Sequence, residues 1–210
     1  MIRILVADDH AVVRQGIKQI VADAPDMQVV DEASSGPEVL NKVKGNDYDL
    51  VLLDVTMPGS SGLQTLAELK SLRPELRVLI LSIHPEEQYA LRALKLGASG
   101  YLTKESAPTE LLTAIRQASL GTTYVSSSLA KQLAWQLVHG GGKLLHQTLS
   151  DREYEVLCMI ASGKTVKEIA EELCLAAKTI GTYRTRLLKK MGMKNDAELI
   201  RYAILNQLVD

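Results

Sequence analysis

Asp8 and Asp9, Asp54, Ser82 and Lys104 each fall just after, or at the end of, a short apolar run: Ile2–Ala7, Leu50–Leu53, Val78–Leu81 and Gly100–Thr103. Parallel strands of an open α/β sheet end on one edge, and such sheets bind ligands just beyond it. Three carboxylates, a hydroxyl and an ammonium meeting there would form a site for a divalent cation and a phosphoryl group. A carboxylate accepts an anionic phosphoryl group only when charge is neutralised. Magnesium, held by a few oxygens while keeping several waters, is the usual means. On this reading Asp54 is the nucleophile and the residue that becomes phosphorylated. Asp9 binds Mg2+ directly and Asp8 supports it through water, while the backbone carbonyl of Thr56 completes the metal set with Asp54. Lys104 pairs with the phosphoryl oxygens, and the Ser82 hydroxyl donates a hydrogen bond to them. Acidic residues at strand ends often only cap helices; the joint spacing of all five is what argues for chemistry.

The elements that must position these groups are legible as alternating patterns. Strands are expected at Ile2–Ala7, Gln28–Ala33, Asp49–Asp54, Arg77–Ser82 and Gly100–Thr103, apolar enough to be buried on both faces. Amphipathic stretches separate them at Val12–Ala24, Pro37–Lys44, Leu63–Leu72, Glu86–Leu96 and Pro108–Leu120. Five such units predict an α/β, doubly wound, five-stranded parallel sheet with right-handed crossovers. A further helix is expected from Ser126 to about Val138, and Gly140-Gly141-Gly142 reads as a flexible linker.

Beyond the glycines everything reads as helix. Ser150-Asp151-Arg152-Glu153 and Thr165-Val166-Lys167-Glu168 have the form of capping boxes. Helices are expected at about Asp151–Ser162, Val166–Leu173, Ala177–Met191 and Ala197–Asn206, with Gly163 and Gly192 at helix ends. From Lys178 to Lys194 there are six basic residues and no acidic one. Lys178, Thr182, Thr185, Arg186 and Lys189 share one helical face, and Ile180, Leu187 and Met191 share another that would dock on the preceding helices. A basic, hydroxyl-rich face on a short helix suits the DNA major groove, and the capped helix before it completes a helix-turn-helix. The bland alternative is a solvated basic face on an ordinary bundle. The expected organisation is therefore residues 1–122 as one domain, 123–147 as a linker helix and glycine-rich linker, and 148–210 as a small all-α four-helix domain.

Composition bounds the rest. A chain of 210 residues with 46% apolar content has room for two domains with real cores. Residues 1–125 carry a net −4, residues 126–147 +2 and residues 148–210 +1, which together make −1. Cys158 and Cys174 lack zinc-ligand spacing, so both are expected to be small buried residues in a reducing compartment. No apolar run approaches the roughly 18 residues a membrane span needs. The first strand starts at once, with no signal peptide ahead of it, so a soluble cytoplasmic chain is expected.

Two sets of motifs resemble known families. Val6-Ala7-Asp8-Asp9-His10, Leu53-Asp54-Val55-Thr56-Met57-Pro58-Gly59, Leu81-Ser82 and Gly100-Tyr101-Leu102-Thr103-Lys104 are similar to the receiver domain of two-component response regulators, a flavodoxin-like fold. That resemblance implies phosphotransfer to Asp54 from a cognate sensor histidine kinase. It also implies that the Ser82 hydroxyl and the Tyr101 ring move together when Asp54 is phosphorylated. Ile83 and Glu105 depart from the receiver pattern, which often has a small residue and a proline there. Leu149–Leu157, Lys167-Glu168-Ile169-Ala170 and Lys178-Thr179-Ile180 resemble the LuxR-type output domain. The pair together is the NarL/FixJ arrangement, with Thr182-Tyr183-Arg184 most similar to its GacA/UvrY branch. By that likeness Thr182 and Thr185, with Arg186, face base edges. Lys178, Thr179, Tyr183, Lys189 and Lys190 hold DNA phosphates, and Tyr183 has packing inside as its other option.

The function expected is a phosphorylation-activated transcriptional response regulator, not an enzyme, which binds double-stranded DNA as a homodimer when phosphorylated. One domain of this kind buries little DNA, so specificity needs two domains on two half-sites. The unphosphorylated receiver would either block the recognition helix or leave it monomeric. One alternative is a phosphorylation-independent DNA-binding regulator with a relic receiver. The other is a Mg-dependent aspartyl phosphatase, which needs a second acid where Thr56 stands.

Overall fold

A single parallel sheet has the strand order β2-β1-β3-β4-β5. Its strands are β1 (Ile2–Ala7), β2 (Met27–Ala33), β3 (Leu50–Asp54), β4 (Arg77–Ser82) and β5 (Gly100–Thr103). Helices α1 (Ala11–Ala22), α2 (Gly36–Gly45), α3 (Gly62–Leu72), α4 (Glu86–Lys95) and α5 (Ala107–Ser119) alternate with them. The computed structural model describes residues 1–57, 62–84, 86–131, 134, 145–206, 208 and 209. The chain divides into two units, Met1–Gln132 and Leu133–Asp210. The expected Gly140–Gly142 linker, and the expected helix beyond residue 134, lie outside the described residues; residues 127–131 are helical.

The two-faced burial anticipated for the strands comes from helices on both sides of the sheet. Ile4, Val6, Leu50, Leu52, Leu79, Leu81 and Leu102 pack with Ile17 and Val21 of α1 and Leu111, Ala114 and Ile115 of α5. The opposite strand residues, among them Leu5, Val51, Leu53 and Ile80, are equally sealed, on the side of α2, α3 and α4. Every residue of β3 is buried, as the central strand of a doubly wound sheet must be. The strand begins at Leu50 rather than Asp49, whose carboxylate takes the Arg3 N–H at 2.7 Å while its own N–H donates to the Arg3 carbonyl at 2.9 Å.

The second unit is helical: a 3-10 turn at Leu145–Thr148, then α6 (Asp151–Ala161), α7 (Val166–Glu172), α8 (Ala177–Met191) and α9 (Asp196–Leu205). Both capping boxes form, with Ser150 paired reciprocally to Glu153 and Thr165 to Glu168. Asn195 caps α9 by accepting the Glu198 N–H at 3.1 Å, whereas Ala176 offers α8 no such bond. The turn between α7 and α8 puts Cys174 at φ 52, exposed, and this corrects the expectation that both cysteines are buried. A turn of this kind needs a left-handed residue, and its side chain then points away from the core. Leu199 and Ala203 are fully buried, so the fourth helix uses them for its own core.

Gly181 lies inside α8, and a Cβ built on it meets nothing within 4 Å. Glycine there costs about 1 kcal/mol relative to alanine. Gly181→Ala is therefore expected to raise the melting temperature of the helical unit by about 4–8 °C, read by thermal circular dichroism. An unchanged or lower midpoint would contradict it.

Candidate functional site

The strand order reverses between β1 and β3, and open sheets bind ligands at such a switch point, beyond their carboxyl ends. Asp8 and Asp9 follow β1 directly, and Asp54 closes β3. Pairing of Asp54 with Leu81 and of Ser82 with Thr103 carries the same edge across β4 and β5. Lys104 then extends from the end of β5 back toward the acids. Its Nζ lies 2.8 Å from Asp54 Oδ2 and 2.7 Å from Asp8 Oδ2. Residues from three strand ends, 96 positions apart at the extremes, thus converge, with Ser82 on the same edge.

Asp8 and Asp54 are almost wholly buried, while Asp9 reaches solvent. Burial pushes the Asp54 carboxyl up to about 6 from an ordinary 3.8, against the opposing pull of Lys104. Burial also works against the Lys104 charge, but the carboxylates of Asp54 and Asp8 outweigh it and hold the ammonium above its usual value. The Thr56 N–H donates to Asp54 Oδ1 at 3.2 Å, and the His10 N–H donates to Asp8 Oδ1 at 2.8 Å. Asp8 Oδ2 meets Lys104 as an ion pair yet accepts no aligned hydrogen bond. Carboxylate oxygens of Asp8, Asp9 and Asp54, with a ring nitrogen of His10, lie within 4.8 Å of one another. This donor set is dominated by hard oxygens and fits magnesium.

The other residues implied by the receiver resemblance lie on β4 and β5. Ser82 is fully buried, and its Oγ accepts the His84 N–H at 3.0 Å. Tyr101 is also fully buried, and its hydroxyl donates to the His84 carbonyl at 2.9 Å. The His84 ring lies 3.4 Å from Thr56 Oγ1 and 4.9 Å, centroid to centroid, from Tyr89. The residue between them, Ile83, is 65% exposed and lines a cleft of about 510 Å3 beside Lys104. Its bulk therefore faces outward.

Gly62 escaped the sequence reading. A Cβ there would lie 2.3 Å from the Asp54 carbonyl oxygen and 2.5 Å from Val55 Cα. The start of α3 can approach the Asp54 backbone this closely only without a side chain. A glycine at a helix start was the one available signal.

In the helical unit, Ile180, Leu187 and Met191 are buried, and Lys178, Thr182, Thr185, Arg186 and Lys189 are exposed. The anticipated division of α8 into a docking face and a free face is thus present. Thr182 and Thr185 donate their hydroxyl protons back to the carbonyls of Lys178 and Gly181, which leaves their oxygens as outward acceptors. Thr179 and Tyr183 are half-buried. Two cations of α8 are engaged within the unit. Arg184 holds the Asp196 carboxylate at the start of α9 with its Nε at 2.8 Å.

Lys190 is the other; its Nζ pairs at 2.6 Å with Glu153, the buried member of the α6 capping box. Burial raises the Glu153 carboxyl, but Lys190 and the Ser150 N–H outweigh it and hold it low. Such a carboxylate contributes stability above its unfolded value of about 4.5, and the contribution is lost as pH falls through the lower folded value. Lys190→Ala is expected to cost about 1–2 kcal/mol at neutral pH and to shrink that acid-side loss, as read by urea unfolding across pH 3–7. Unchanged stability with a reduced salt dependence of DNA binding would instead assign Lys190 to phosphate.

Among the described residues no helix is long and apolar enough to cross a membrane. Residues 4–116 match the response regulator receiver domain, and residues 147–203 match the bacterial regulatory proteins of the luxR family. The chain is 38% identical over 210 residues to the response regulator GacA of Pseudomonas protegens, covering all of this chain and 99% of that one. It is 36% identical over 209 residues to the response regulator UvrY of Escherichia coli K12, covering 99% and 96%. RcsB from Salmonella enterica serovar Typhimurium, solved bound to promoter rprA with the phosphomimetic BeF3-, superposes with a TM-score of 0.65 at 27% identity, covering 96% and 97%. With these relatives across its length and this pair of domains, the chain belongs to the NarL/FixJ response regulators, DNA-binding proteins that join a receiver to a LuxR-type helix-turn-helix.

Proposed function

We propose that this chain is a cytoplasmic transcriptional regulator, not an enzyme, whose DNA binding is switched on when a histidine kinase transfers a phosphoryl group to Asp54. The observation that carries this reading is the meeting of Asp8 and Asp54 on the ammonium of Lys104, at 2.7 and 2.8 Å, with Asp9 beside them. Asp8, Asp9, Asp54 and the Thr56 carbonyl would hold Mg2+, which when bound neutralises charge between the incoming phosphoryl oxygens and the carboxylates. Asp54 Oδ1 is steadied by the Thr56 N–H, which leaves the other oxygen to attack once Lys104 turns to the phosphoryl group. Ser82 then gives up the His84 N–H and donates to a phosphoryl oxygen. Tyr101, hydrogen-bonded to the same loop at the His84 carbonyl, follows that movement. Where a phosphatase of the aspartyl type would need a second acid, Thr56 has only a hydroxyl.

The output is DNA read by α8. Lys178, Thr179, Tyr183 and Lys189, with Lys190 when it leaves Glu153, take phosphates, while Thr182 and Thr185, with Arg186, meet base edges. A homodimer on two half-sites is the active form, in keeping with the RcsB dimers solved on DNA. Receiver, linker and DNA-binding domain divide at residues 1–122, 123–147 and 148–210. The test is labelling of the intact chain by acetyl phosphate with Mg2+ or EDTA, followed by selection of bound duplexes from a random pool with and without phosphodonor. Magnesium-dependent label and phosphodonor-enriched sequences are expected. Equal selection in both pools would favour the relic-receiver alternative.

A further inference from the structure

Past α5 the chain does not leave the receiver unit freely. It turns at Gly121 and runs back along the open edge of the sheet, where Tyr124 bridges β5 in parallel at Gly100. The Tyr124 N–H donates to the Ser99 carbonyl at 2.8 Å, and its buried hydroxyl donates to Glu110 of α5 at 2.7 Å. Gly100 is what admits it, since a Cβ there would lie 2.8 Å from Tyr124 Cβ. The next residues are fastened to α4. Ser126 and Ser128 each donate to Glu86 Oε2 at 2.5 Å. Ser126 Oγ also accepts the Leu129 N–H at 3.1 Å, and Leu129 is buried. Glu86 is the first residue of α4 and is itself 8% exposed, so both serines meet a carboxylate largely withdrawn from water. Hydrogen bonds of this charged kind are roughly twice as strong as neutral ones.

What makes this tie more than a fastening is where Glu86 stands. It is four residues from Ser82 and two from His84, whose N–H and carbonyl are the groups held by Ser82 and Tyr101. Resting on the phosphorylation of Asp54 proposed above, we infer that Glu86 is a latch. In the unphosphorylated chain it holds Ser126 and Ser128, and with them the start of the segment that leads to the DNA-binding unit. When Ser82 leaves the His84 N–H for the phosphoryl oxygens, His84 shifts, and Glu86 withdraws from the two serines. The residues after Tyr124 are then released. One carboxylate with two arrangements is a two-state element that both the phosphoryl group and the linker bias. Among the described residues Glu86, Ser126 and Ser128 make no hydrogen bond to Asp8, Asp54 or Lys104, so their removal should leave the phosphoryl-accepting chemistry in place while shifting the coupling, which is reciprocal.

The test compares the intact wild-type chain with Ser126→Ala/Ser128→Ala, and with Ser128→Ala alone, which keeps the Ser126 cap on Leu129. Each is measured with and without acetyl phosphate and Mg2+. Amide hydrogen exchange at Leu129–Lys131 should accelerate on phosphorylation in wild type and already be fast in the double variant. The unphosphorylated double variant should bind the DNA selected by the phosphorylated chain roughly tenfold tighter than unphosphorylated wild type. Its gain on phosphorylation should fall by the same factor, and the variant should still be labelled, to the same final stoichiometry as wild type and at no higher phosphodonor concentration. Ser128→Ala should show the same changes in smaller degree. If wild type takes up phosphate and Leu129–Lys131 exchange stays constant, or if the double variant keeps the full gain, the latch is wrong and the phosphorylation reading stands. If wild type takes up no phosphate, both fall together.

Discussion

Asp54→Asn is expected to reduce phosphoryl uptake from acetyl phosphate to background and to remove the phosphodonor-dependent gain in DNA binding. An amide has no anionic oxygen to attack with, and Asp54 is the carboxylate that closes the central strand β3. The fold should survive, because asparagine fits the same space and can still accept from Lys104. The substitution also has a thermodynamic signature. In the metal-free folded chain the Asp54 carboxyl keeps its proton up to about pH 6, against 3.8 unfolded. Between those values the folded state binds more protons than the unfolded state, so the contribution of this group to stability falls as pH rises from about 4 to about 6. A displacement from 3.8 to about 6 corresponds to on the order of 3 kcal/mol. In EDTA at pH 7.5, Asp54→Asn should therefore be more heat-stable than wild type, and the gap should close below pH 4. Mg2+ should raise the wild-type midpoint by mass action and leave the variant almost unmoved. Residual label in Asp54→Asn would move the nucleophile elsewhere.

Lys178→Ala/Lys189→Ala should weaken DNA binding about 10–100-fold near 0.1 M salt and lower the slope of log affinity against log salt by about 2. Both side chains are exposed on the free face of α8, and the sequence preference of what still binds should be unchanged, since phosphate contacts hold register without reading bases. Thr182→Val is the complementary change, expected to alter preferred sequence more than slope. A double lysine variant with an unaltered salt slope would show that α8 does not lie against the backbone.

The receiver was legible because its evidence is redundant. Parallel strands sealed on both faces must be apolar along their length, so β1, β3 and β4 stand out as runs, and polar groups just past them must share an edge. Helix α8 was legible for a related reason: a docking stripe of Ile180, Leu187 and Met191 forces the basic residues between them onto the other side. Contacts made by single residues left weaker traces. Lys190 reads as one more cation on a basic helix until Glu153 is found beneath it, and Cys174 reads as one more small apolar residue until its positive φ turns it outward. Gly62, Glu86 and the returning Tyr124 carry no periodic signal, because each acts through a single long-range approach.

Residue order alone determined the alternation of strand and helix, which five polar side chains follow the apolar runs and the free face of α8, since each follows from local periodicity or from the end of an apolar run. The tertiary structure decided which charges spend themselves on one another, where backbone closeness demands glycine, and that the chain leaving α5 returns to bridge β5 at Gly100. Those outcomes depend on distances between segments far apart in sequence, and only the packed sheet brings such segments together.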